Sequence, residues 1–151
     1  MSTILSLLLL LLTIFCHTAS DQSRRKYDQN TARKLYETIL NANDTSELRQ
    51  IMREPFTTVD CHGANETHEG EDYDNLLTGL IDEHFEKGLS RKFTLVYSKL
   101  IDQGIEFMVW RSLKNDEDSI LIGFKFIALE KSDGLKIENS TMTCNVFEVE
   151  Y

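Results

Sequence analysis

The spacing of apolar residues changes halfway along this chain, and that change restricts its fold more than any other feature. Before residue 90 they recur every three or four positions; after it they alternate. Ala32, Leu35, Tyr36, Ile39 and Leu40 mark one face of a helix that Asn41-Ala42-Asn43 stops. Asp44 reads as the N-cap of a second helix, with Glu47 as its capping-box partner. Leu48, Ile51 and Met52 form its stripe, and Pro55 ends it. Phe56 to Asp60 reads as a short strand and Cys61 to Glu71 as a polar loop. Asp72 or Asp74 then opens the longest helix, whose apolar side carries Tyr73, Leu76, Leu77, Leu80, Ile81, His84, Phe85 and Leu89.

Beyond it, Phe93, Leu95 and Tyr97 alternate with polar or smaller neighbours, as do Ile105, Phe107 and Val109, and then Ile120, Ile122, Phe124 and Phe126. Turns fall at Asp102-Gln103-Gly104 and Ser132-Asp133-Gly134, and Leu135 to Val149 reads as a last long strand. Helices followed by an antiparallel meander predict an α+β domain with helices on one sheet face. The Phe-rich set should face the helices. The opposite set, with Val96, Met108, Trp110, Leu121 and Ile127 among charged residues, predicts a partner surface, read here as a sheet-face homodimer.

Met1 to Ser20 contains no Lys, Arg, Asp or Glu. Its apolar run, Ile4 to Cys16, is broken only by Ser6 and Thr13 and is short for a bilayer span of about 20 residues. It fits the apolar part of a secretory leader, with cleavage after Ser20, or alternatively Ala19. The expected organisation is thus a signal peptide over 1–20 and one domain over 21–151, secreted and free of the membrane after cleavage. Acceptor sequons at Asn43, Asn65 and Asn139 agree with export and predict a glycoprotein. Cleavage leaves Cys61 and Cys144, expected to form one internal disulfide in an oxidising compartment. Of 151 residues, 25 are acidic and 16 basic, for a net charge of −9, which argues against nucleic acid as a partner.

No metalloprotease helix, phosphate loop, nucleophile elbow or paired Cys-x-x-Cys occurs. Cys61, His62, Glu66, His68, Glu69, Glu71 and Asp72 crowd one loop, but their spacing matches no metal site, and they read as a solvated acidic segment. Neither metal nor other cofactor is expected.

Leu35-Tyr36 through Asn41-Ala42-Asn43-Asp44, Phe56-Thr57-Thr58-Val59-Asp60 and Asp133-Gly134-Leu135-Lys136-Ile137, in this order of elements, resemble the nuclear-transport-factor-two-like, or SnoaL-like, family over roughly residues 27 to 150. The resemblance implies a cone: a curved antiparallel sheet packed against N-terminal and central helices, commonly dimeric, in a family of enzymes and non-catalytic binding domains. Its ketosteroid isomerase branch is similar in a Tyr on the first helix and an Asp ending the first strand, which match Tyr36 and Asp60. There the Tyr donates to an oxyanion and the Asp moves a proton. The branch's second acid has no counterpart in Gly123 to Ala128. The chain therefore reads as a secreted, non-catalytic binding or interaction domain of unknown ligand, an apolar small molecule being the natural guest if the cone leaves space. Tyr36, Asp60, Phe93, Phe107 and Phe124 are its candidate ligand residues, Leu95 and Val109 join the expected cavity wall, and a small-molecule isomerase or dehydratase is the alternative.

Overall fold

The computed structural model describes residues 29–86, 89–114, 119–143 and 147–148. The expected leader and Cys144 lie outside them, and so does the His84 side chain. Helix α1 occupies residues 29–41 and α2 Thr45–Ile51. Strand β1 (Met52–Val59) and β2 (Asn65–His68) precede α3 (Glu71–Glu86). Then come β3 (Leu89–Ile101), β4 (Gly104–Lys114), β5 (Ser119–Lys131), β6 (Gly134–Met142) and the short β7 (Phe147–Glu148). The last strand expected over Leu135 to Val149 is thus divided between β6 and β7. Among the described residues no helix is long and apolar enough to cross a membrane.

The sheet runs β2-β1-β6-β5-β4-β3, with β7 paired to β5. The meander β3 to β6 is antiparallel as expected. The sheet as a whole is mixed, because β1 pairs β6 in parallel, Thr57 opposite Asn139 and Val59 opposite Thr141. One curved face packs on the helices, giving the expected α+β arrangement. Ala32, Tyr36, Leu48, Tyr73 and Leu77 on the helices meet Phe107, Val109, Ala128 and Ile137 on the strands, all buried.

Local chemistry explains the element ends. The Asp44 carboxylate accepts from the Ser46 and Glu47 amides, and Glu47 Oε2 accepts from the Asn43 amide at 3.0 Å, a close relative of the predicted box. Helix α2 ends at Ile51, before Pro55, which sits inside β1. The β1–β6 register shifts between Met52 and Thr57, where a residue without an N–H is tolerated. The polar segment Cys61 to Glu71 is not all loop. Asn65–His68 pairs with β1 as a hairpin, and Gly63 supplies a φ of 86° in its turn.

A bulge between Leu95 and Tyr97 corrects one predicted face. Leu95 opposes Val109, but Tyr97 opposes Met108. Tyr97 therefore leaves the inward set, and its hydroxyl donates to Glu106 Oε1 at 2.8 Å. Ser98 takes the inward register opposite Phe107. On the outer face Val96 is exposed, and Met108 and Trp110 are half-buried; Leu100 and Met142, also exposed, stand in the inward register opposite Ile105 and Phe124. A Cβ on Gly123 would stand 3.0 Å from Met108 Cε and 3.1 Å from Trp110 Cδ1, so both side chains close over that glycine.

Candidate functional site

A cavity of about 90 Å³ lies between the helices and the concave sheet face. Ile39 from α1, Met52 and Phe56 from β1, Leu76 and Leu80 from α3, and Phe124 and Phe126 from β5 give it apolar walls. Tyr36, Thr58, Glu83, Arg111 and Ser140 bring polar groups to it. At about 30 Å³ per water it has room for roughly three molecules, and it is small beside a drug-sized pocket of about 300–1,000 Å³.

Alternation builds the polar end. Ile105, Phe107, Val109 and Arg111 occupy every second position of β4, and all four are buried. The row ends in Arg111, a residue only 4% exposed. Arg111 Nε and one Nη donate to the Ser90 carbonyl at 3.3 and 3.0 Å. Arg111 also lies against the Tyr36 hydroxyl as a hydrogen-bonding cation. Burial pushes that hydroxyl up to about 12, against the downward pull of Arg111.

The predicted ligand residues separate. Tyr36 and Phe124 line the cavity. Phe93 packs edge-on against Tyr36 at 4.8 Å, and Phe107 stacks on Phe126 at 5.2 Å. Tyr36 in turn lies 5.5 Å from Phe126. Phe93, Leu95, Phe107 and Val109 are core rather than cavity wall, because this aromatic cluster fills the region beside α1. The remaining space lies toward α3 and β1.

Asp60 is exposed in the β1–β2 turn. Its Oδ1 accepts from the His62 and Ala64 amides at 2.9 and 2.8 Å, and the Ala64 N–H above all holds the carboxyl below its ordinary value. Asp60 is not among the cavity residues, so it does not share a substrate-sized space with Tyr36. The residue-level reading missed Arg111, Thr58 and Ser140. Extending the β4 alternation one step past Val109 would have found Arg111.

Beside the cavity, His68 is buried on β2. Its Nδ1 donates to Asp72 Oδ2 at 2.7 Å, and its Nε2 shares a 2.8 Å hydrogen bond with Thr58 Oγ1. Glu66, His68 and Asp72 each bring one ligand atom within 4.8 Å of the others. A cation there would have to displace Asp72 from Nδ1. As it stands, the imidazole ties the hairpin to the first turn of α3 and holds the cavity-lining Thr58.

No family model and no curated protein matches the chain. Solved structures do. An NTF-2 like protein of unknown function from Shewanella oneidensis MR-1 is 17% identical at a TM-score of 0.54, covering 78% of this chain and 98% of its own. An NTF2-like protein of unknown function from Pseudomonas putida KT2440 is 8% identical at 0.57, covering 77% and 85%. A protein titled Rd1NTF2_05_I64F_A80G_T94P_D101K_L106W is 16% identical at 0.56, covering 76% and 97%. At such identities the likeness speaks for the backbone alone, and with the helix-backed curved sheet it establishes that this chain has the NTF2-like fold.

Proposed function

We propose that this protein is a secreted, non-catalytic binding domain whose cone holds one small, mainly apolar molecule. The observation that carries the reading is the residual cavity between α1, α3 and the sheet, apolar along its walls and polar where Tyr36 and Arg111 meet. Pockets with mostly apolar walls and a few convergent polar groups are where small ligands bind. Proton transfer by Tyr36 and Asp60 finds no support in the position of Asp60.

Toluene and benzyl alcohol test the reading. Either should perturb the methyl resonances of Ile39 and Leu80 and raise the melting temperature. Leu76→Trp, which fills the space, should abolish both effects. A wild-type protein that responds to neither probe would refute the binding role.

Export, the disulfide and the dimer belong to the same proposal. The uncharged Met1–Ser20 segment and the sequons favour export. Export into an oxidising compartment favours a Cys61–Cys144 bond, although Cys61 is not disulfide-bonded in the structure. Intact mass after alkylation, with and without reductant, tests it; alkylation of both thiols without reductant would exclude the bond. The exposed Val96 and the half-buried Met108 and Trp110 on the outer face favour self-association, and sedimentation of a monomer at tens of micromolar would exclude that.

A further inference from the structure

We propose that Glu66, His68 and Asp72 bind one divalent transition-metal ion of the zinc class, where β2 meets the first turn of α3. This site goes beyond the cavity and does not depend on what the cavity holds. Glu66 and His68 stand two apart on β2 and so share one of its faces. Asp72 follows His68 by four positions, in the first turn of α3. Gly70, at a φ of 57°, turns the chain between strand and helix. One ligand atom from each of the three residues lies within 4.8 Å of the others. Their spacing in the sequence did not point to a metal because only this strand-to-helix turn brings the third ligand to the other two.

Two exposed carboxylates alone would be an ordinary solvated pair. The buried imidazole between them makes the difference. The His68 side chain is 9% exposed, with Nε2 held by Thr58 Oγ1 at 2.8 Å and Nδ1 by Asp72 Oδ2 at 2.7 Å. An imidazole that binds a metal through one nitrogen is oriented by a hydrogen bond at the other. Thr58 already supplies that bond. With an ion in place the imidazole stays neutral. Its proton leaves Nδ1 and is carried on Nε2, which donates to Thr58 Oγ1, and the Nδ1 lone pair faces the metal.

Letting the ion in between Nδ1 and Asp72 takes little movement. Two ligands at about 2.0–2.1 Å in a tetrahedral site stand about 3.3 Å apart, so the His68–Asp72 contact opens by roughly 0.6 Å. The Asp72 side chain is 58% exposed and Glu66 is exposed, so both can adjust without disturbing the core. Neither carboxylate has a lysine or arginine partner among the described residues, so no such salt bridge has to break. One imidazole and two carboxylates suit zinc and leave one tetrahedral position for water. Calcium needs about six to eight oxygen ligands, more than these side chains supply.

Calorimetric titration of the metal-free wild-type protein with Zn²⁺, Ca²⁺ and Mg²⁺ tests this, together with the imidazole nitrogen resonances. One Zn²⁺ should bind per chain and move the His68 Nδ1 resonance to the metal-bound range, with Ca²⁺ and Mg²⁺ about tenfold weaker or more. Asp72→Asn and Glu66→Gln change exposed side chains and should each weaken Zn²⁺ about tenfold or more. His62→Gln, in the same segment but outside the site, should change it less than about threefold. His68→Gln should abolish binding; should that buried variant not fold, the two exposed variants decide. Failure of Zn²⁺ to bind, Ca²⁺ binding as tightly as Zn²⁺, or Zn²⁺ binding that survives Asp72→Asn and Glu66→Gln would each overturn the proposal and leave the cavity reading untouched.

Discussion

Arg53 Nη1 on β1 lies 2.5 Å from Glu138 Oε1 on β6, spanning the parallel β1–β6 pair of the sheet. Its other Nη pairs with Asp133 and donates to the Gly134 carbonyl at 2.9 Å. Only 11% of the Arg53 side chain and 19% of Glu138 are exposed. Arg53→Met should therefore lower unfolding free energy by about 2–3 kcal/mol, less than a fully buried pair loses, because Asp133 is half-exposed. Arg53→Lys should recover less than half, since one ammonium cannot reach acceptors on both the strand and the turn. Urea denaturation with unchanged slope measures both.

The same contact sets an acid limit. The Arg53 hydrogen bond, above all, holds the Asp133 carboxyl at about 2, against an ordinary 3.8. A folded value below the unfolded one means that its stabilisation is complete above the ordinary carboxylate range and is lost as pH falls from about 4 toward 2. Asp133→Asn should flatten the pH dependence of the urea midpoint in that window and leave it unchanged in slope above pH 5.

Alkali should act through the opposite sign. Tyr36 and Tyr97 are both raised to about 12, Tyr36 by burial and Tyr97 by burial and its bond to Glu106. A raised folded value gives stability that is full below the ordinary value of 10.0 and lost as pH rises toward 12. Phenolate absorbance should show these two hydroxyls ionising late, in step with the loss of near-ultraviolet dichroism. Tyr36→Phe should remove one late phenol.

Ser98 Oγ is buried without a hydrogen-bond partner among the described residues. A buried hydroxyl left unsatisfied costs about 1–3 kcal/mol. Ser98→Ala should thus be neutral or stabilising by up to about 1 kcal/mol, where an ordinary core truncation destabilises. A fall in melting temperature of several degrees would contradict this account of the site.

The sequons differ in access. Asn43 and Asn65 are exposed, in the α1–α2 connection and at the start of β2. Asn139 is half-buried in β6, opposite Thr57 on one side and Ile127 on the other. Glycopeptide mass spectrometry of protein from culture medium should find occupancy at Asn43 and Asn65 several-fold above that at Asn139. High occupancy at Asn139 would mean that glycan transfer precedes the pairing of β6.

What was legible in the sequence was what neighbours in the chain decide. The Asp44 cap, the Tyr73–Leu77 stripe and the turns at Asp102 and Ser132 each rest on residues within a few positions, and each stands where it was expected. Distant residues decide the rest. Asn65–His68 is too polar to announce a strand, and only pairing with β1 makes it one. The bulge that moves Tyr97 outward leaves no mark on the alternation of Phe93, Leu95 and Tyr97. The parallel partner of β1 lies about 80 residues away. At the site, Tyr36 was visible as an aromatic on a helix face. Arg111 was hidden because a cation is the residue least expected to end an inward row. Asp60 drew attention by its place after the first strand, but its role is to tie a turn.

The parallel seam between β1 and β6 has a consequence for how the molecule is made. As the chain emerges from the ribosome, the β1–β2 hairpin can close early, but one of its edges must wait for residues about 80 positions further along. During that interval an unpaired strand and the floor of the cone stand open to water. A chaperone would meet the nascent protein at that edge, and truncation before Gly134 would leave it permanently bare.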